Sequence, residues 1–272
     1  MKKNFIALSV ALFCVLLIGC KQNAPECPLD HGTWEFVPHL SDEFNGDQIN
    51  RTKWYDFNPG WKGRKPGFFS PDNVRLENGE LILTSQTETL EGLPEGYHTF
   101  TTAAVQSKNR VLYGYYEIRC KPMKSRCSSA FWFYAVDGDL WTEIDVFEIC
   151  GMHPQKDYDK KYFATTHILK SPETGDKLTS DHVEWHSPTP LADDYLISGF
   201  EWRKDSLIWY VNGQVIRKRE NTKWHQPLTI NFDSETMPNW FGMPNPSDDK
   251  GEYKIDYIRV WRDPNVKMRY QF

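Results

Sequence analysis

Three carboxylates lie within one short stretch, Trp141-Thr142-Glu143-Ile144-Asp145-Val146-Phe147-Glu148-Ile149. Its Ile, Val and Phe content makes it a strand by composition. Residues two apart in a strand share a face, so Trp141, Glu143 and Asp145 point the same way. Strict alternation would bury Glu148 with Ile144 and Val146, and a lone buried carboxylate is costly. One β-bulge near Val146–Phe147 adds a residue and returns Glu148 to the face of the other two. Carboxylates so crowded cannot all ionise at ordinary pKa. Glycoside hydrolysis uses such a group: a nucleophile and a general acid roughly 5–5.5 Å apart give retention of configuration. The expectation is therefore that Glu143, Asp145 and Glu148 are catalytic. The other uses of clustered acids are a calcium or magnesium site and a solvated strand face. Flanking by Trp141 and Phe147 argues against plain solvation.

The elements that must hold these acids are strands. Helical periodicity is scarce. Short β-branched and aromatic runs recur at 80–84, 103–108, 113–121, 130–136, 143–149, 162–169, 195–203, 206–211, 214–219, 228–232 and 253–262. Many strands at short spacing predict an all-β sandwich or barrel. Asn212-Gly213 is the strongest hairpin signal, because a type I′ turn needs positive φ at both central residues. Tyr115, Glu117 and Arg119 alternate with Tyr116, Ile118 and Cys120, which predicts one exposed and one buried face. Segments 55–73, 85–102, 170–194 and 233–252 read as long irregular loops, the usual walls of a binding site.

The chain opens with Lys2-Lys3 and an apolar run from Phe5 to Ile18 that ends in Leu17-Ile18-Gly19-Cys20. A basic start, a short apolar run and a small residue before cysteine predict a lipoprotein signal over 1–19, with Cys20 carrying the lipid. Residues 20–30 then form a polar tether, and 31–272 one catalytic domain. Export permits disulfides. Among Cys27, Cys120, Cys127 and Cys150, the pair Cys120–Cys127 flanks a short turn and is favoured, with four free thiols as the alternative. The net charge of −5 speaks against nucleic acid as a partner. With 11 Trp, 13 Tyr and 16 Phe, the chain has many flat rings on which pyranose C–H faces can pack. The expected partners are a polysaccharide and, through the lipid, a membrane; the expected state is a monomer.

Glu143-Ile144-Asp145-Val146-Phe147-Glu148 resembles the Glu-x-Asp-x-x-Glu motif of glycoside hydrolase family 16, in its bulged form. Ser41–Gly46 with Trp54, Asn78–Leu83, Tyr113–Arg119, Tyr210–Gly213 and Ile255–Val260 resemble other pieces of that family in the same order, so the likeness spans about residues 40 to 262. The resemblance implies a β-jelly-roll sandwich with a substrate cleft on its concave face. It implies Glu143 as nucleophile, Asp145 as helper and Glu148 as acid/base. No catalytic cofactor is implied. Gly79 and Asp256 match positions where relatives hold a structural calcium, although Asp256 also reads as an ordinary strand residue.

Trp132, in Ala130-Phe131-Trp132, matches a family tryptophan that stacks on sugar in the cleft. Trp61 stands in the polar loop Gly60-Trp61-Lys62-Gly63-Arg64-Lys65, where core packing is improbable, and reads as a sugar contact. Trp141 shares the acids' face. His167 reads as a cleft histidine that tunes Glu148 or bonds sugar. The stretch Ser128-Ser129-Ala130-Phe131-Trp132 and Thr142 before Glu143 are more similar to agarase and porphyranase branches than to laminarinases. Arg64 would grip a sulfate ester by charge-assisted hydrogen bonds; the three loop cations read otherwise as solvated. The expected reaction is endo-cleavage of a red-algal galactan, porphyran or agarose. β-1,3-Glucan and carrageenan are the other substrates considered. A glycan-binding lipoprotein without catalysis would have no need of both glutamates. A transglycosylase would use the same acids.

Overall fold

The computed structural model describes residues 24–266, apart from 174, 176, 248 and 249. The signal segment and Cys20 lie outside the described residues. The strands are β1 (Glu35–Phe36), β2 (Trp54–Tyr55), β3 (Phe68–Phe69), β4 (Val74–Glu77), β5 (Glu80–Thr87), β6 (Phe100–Val111), β7 (Gly114–Lys121) and β8 (Ser129–Asp137). They continue as β9 (Leu140–Ile149), β10 (Lys161–Lys170), β11 (Thr179–His186), β12 (Leu196–Trp202), β13 (Ser206–Val211), β14 (Gln214–Glu220), β15 (Leu228–Ser234) and β16 (Gly251–Arg262). Two 3₁₀ turns, Pro71–Asn73 and Tyr158–Lys160, are the helical elements among the described residues.

Hydrogen-bonded neighbours run β11-β10-β9-β8-β15-β6 in one layer and β5-β16-β7-β12-β13-β14 in the other, joined where β5 meets β6. The result is an all-β jelly-roll sandwich. Asn212 and Gly213 adopt φ of 49° and 77° in the β13–β14 hairpin, as a type I′ turn requires.

The core lies between the layers. Phe131, Phe133, Phe147 and Phe232 come from the first layer, and Phe200, Trp202, Trp209 and Tyr253 from the second. Phe133 meets Phe200 at 5.7 Å between ring centroids, and Phe147 meets Tyr253 at 6.3 Å. Full burial of such side chains contributes about 1.5–3 kcal/mol each. β8 shows the division of labour. Phe131, Phe133 and Ala135 are buried in the core, while Trp132 and Tyr134 between them stay partly exposed on the outer face.

Four expectations need correction. Segment 170–194 is not wholly irregular, since β11 pairs with β10 as the edge strand of its layer. Tyr115 and Glu117 are not exposed: Cys27, Leu29, Trp34 and Phe36 cover Tyr115, Tyr210 and Trp261. The end of the expected tether is therefore packed, with the Trp261 indole donating to the Pro25 carbonyl at 3.0 Å. Cys120 and Cys127 are not joined; all four described cysteines are free thiols. They sit in separate buried settings, Cys120 against Tyr253 and Cys127 beside Ser125 and Ser85.

Candidate active site

Glu143 stands opposite Tyr134 of β8 and His167 of β10. Asp145 stands opposite Trp132 and Thr165, and Glu148 opposite Ala130 and Phe163. Both neighbouring strands lose register between Asp145 and Glu148. The bulge thus falls at Val146–Phe147, and its cause is visible: Ile144, Val146, Phe147 and Ile149 all point into the core. All three acids reach one cleft of about 520 Å³, lined also by Trp61, Arg64, Trp132 and Trp141.

His167 lies beneath this trio. Its Nε2 is 3.0 Å from Asp145 Oδ2 and 3.9 Å from Glu143 Oε1. Its Nδ1 shares a 2.6 Å hydrogen bond with Ser180 Oγ of β11. The contact expected with Glu148 is thus made with Asp145 and Glu143 instead, because β10 pairs residue 167 with residue 143.

Burial pushes all three carboxyls up. Glu143 rises to about 8, through burial first and the Asp145 charge second, with His167 and Arg64 opposing. Its side chain keeps 20% of its surface open, so cleft water moderates the rise. Asp145 rises to about 7 through burial, against Arg64. Glu148 is raised well above its ordinary value, by burial and then by the charges of Asp145 and Glu143. His167 favours the anion at Glu143, while the two neighbouring carboxylates favour the protonated form of Glu148, and the three titrate together.

Two acids escaped the sequence reading. Asp233 and Glu235 also line the cleft, and burial raises both carboxyls. Asp233 accepts the Trp132 indole N–H at 2.7 Å. Glu235 accepts the Trp61 indole N–H at 2.5 Å and faces Arg64 Nη2 at 3.5 Å. Thr236 Oγ donates to the Arg64 carbonyl at 2.6 Å. The signal was there: Thr229, Asn231, Asp233 and Glu235 continue a polar alternation against Leu228, Ile230 and Phe232. Of the three cations in the Trp61 loop, only Arg64 lines the cleft, and its side chain is 51% exposed. Lys65 instead lies over the Tyr97 ring, 5.6 Å from its centroid.

Among the described residues, Glu143, Asp145 and His167 are the group whose donor atoms converge closely enough for a metal, all within 4.8 Å. The calcium position fits poorly. Gly79 forms the β4–β5 turn at φ 79°, but the Asp256 carboxylate accepts Arg119 Nη1 at 2.8 Å. A guanidinium therefore stands at the carboxylate a calcium would need.

A protein family described as β-porphyranase A–D, GH16 domain, matches residues 34–263. The chain is 28% identical to β-porphyranase D of Zobellia galactanivorans, over 91% of this chain and 66% of that one. It is 28% identical to β-porphyranase B of the same organism, over 85% of this chain and 86% of that one. The crystal structure of porphyranase B from Zobellia galactanivorans superposes with a TM-score of 0.76 at 26% identity, covering 88% of this chain and 98% of that one.

Proposed function

Because this chain belongs to the glycoside hydrolase family 16 domain of the β-porphyranases A–D, we propose that it is a retaining endo-hydrolase of a sulfated red-algal galactan, porphyran. The observation that carries the substrate is the placement of Arg64. The other lining arginine, Arg110, is paired with Asp137, whereas Arg64, half exposed at a cleft with five acids, stands beside a tryptophan fixed by the same glutamate. A neutral glucan offers that guanidinium no anion; a sulfate ester does.

Glu143 attacks the anomeric carbon as its carboxylate. Glu148, whose protonated form burial and the neighbouring carboxylates favour, gives its proton to the departing glycosidic oxygen. The bond from Glu143 to the sugar then breaks as water attacks, and Glu148, now a carboxylate, takes the water proton. Asp145 keeps His167 against Glu143 and resists ionisation of Glu148. Trp132 and Trp61 offer their rings to pyranose faces while their N–H groups stay bound to Asp233 and Glu235. These steps need no cofactor, and the residues at Gly79 and Asp256 do not support a calcium there. Upstream, Cys20 carries the lipid that ties the enzyme to a membrane.

Incubation with porphyran, agarose, carrageenan and laminarin, followed by sizing of products, tests the reading. Cleavage of laminarin alone would end the galactan proposal. Cleavage of agarose but not porphyran, unchanged in Arg64→Ala, would remove only the sulfate.

A further inference from the structure

Trp240 packs on the ring of Phe163, with centroids 4.8 Å apart. Phe163 stands directly opposite Glu148. Along β10, Phe163, Thr165 and His167 share one face, and His167 of that face touches Asp145. Phe163 is thus part of the cleft face, and Trp240 covers it.

Trp240 is 40% exposed, yet it is firmly held. The backbone N–H groups of Trp240, Phe241 and Gly242 all donate to the Met237 carbonyl, at 3.0, 2.9 and 3.1 Å. Phe241 beneath it is fully buried, 4.4 Å from Trp240 between centroids. An exposed ring whose backbone is fixed and which packs on both Phe163 and Phe241 is pre-organised to receive a ligand.

The strand order gives its place. Trp132 is on β8 and Trp61 is tied to Glu235 at the end of β15, both on one side of β9. Phe163 and Trp240 are on the other side, with β10. A sugar chain that crosses the strands passes Trp61 and Trp132, then Glu143 and Glu148, then Trp240. We propose that Trp240 is a sugar-stacking platform, on the side of the scissile bond opposite Trp61, that sets where the chain is cut. The inference rests on the polysaccharide-hydrolase reading of the same cleft.

The test separates binding from cutting. The Glu143→Gln protein is run through gels that contain porphyran, agarose, carrageenan or laminarin. At least one gel should retard it. Adding Trp240→Ala should weaken that retention about tenfold, in line with the loss of one stacked aromatic contact, and Trp240→Phe should restore most of it. In active protein, Trp240→Ala and Trp61→Ala should displace the cleavage point of an end-labelled oligosaccharide in opposite directions. Equal retention with and without Trp240, or displacement in the same direction, overturns the proposal. Retardation by laminarin alone sinks the galactan reading, while the Trp240 comparison is still read in that gel. No retardation in any gel sinks both.

Discussion

His167 Nε2 stands 3.0 Å from Asp145 Oδ2, and that imidazole is the nearest positively chargeable group on the acid trio. Its charge lowers the Glu143 carboxyl against the rise caused by burial. Removing it in His167→Ala leaves Glu143 protonated to higher pH. The acidic limb of the kcat/KM profile should therefore move up, with activity at pH 6 falling more than activity at pH 8. An unchanged limb would show that His167 does not act on Glu143.

Glu143→Gln and Glu148→Gln each remove one half of the chemistry. Each should lower kcat by about 10²–10⁴ or more, the range for loss of a positioned proton-transfer group. Proton NMR of the first products should show the anomeric configuration of the substrate. Inverted products, or near-full activity in Glu143→Gln, would refute the assignment.

The same acids weigh on stability. A carboxyl raised in the folded state makes that state bind more protons than the unfolded chain, so stability falls as pH rises through the interval. For Glu143 the interval runs from the ordinary value of 4.5 to about 8. Glu143→Gln has no such proton to lose. Its Tm relative to the parent should rise steadily from pH 5 to pH 8, as read by circular dichroism. A Tm difference independent of pH would contradict the burial of that charge.

Cys20 lies outside the described residues, and the lipid proposed for it is tested in cells. Cys20→Ala should move the protein from the membrane fraction to the soluble one, since acyl chains supply the attachment. Equal membrane retention would exclude the anchor.

The strand that carries the three acids was legible because a physical conflict exposed it. Glu148 could not share the core with Ile144 and Val146, and only a bulge resolved that. The Asn212-Gly213 turn was legible because few residues tolerate its dihedrals. β11 was not, because it is an edge strand. Only Val183 and Trp185 of its side chains are partly buried, so it lacks a clear apolar alternation. Asp233 and Glu235 were missed where β15 passes its last apolar residue, Phe232, and the pattern seemed to stop. The cover over Tyr115 and Glu117 depends on chain about eighty residues or more upstream, which local alternation cannot reveal.

The segment from Pro25 to Phe36 lies on the outer face of the layer that does not carry the cleft. His31 Nε2 adds a 3.2 Å contact there to the buried Glu201 carboxylate. From Cys20 to Ala24 the chain can span at most roughly 14 Å. A lipid on Cys20, as proposed above, would moor the enzyme by its back, close to the bilayer, with the cleft turned away from the lipid. A polymer far too large to approach a membrane sideways would then meet an open groove rather than a wall of headgroups.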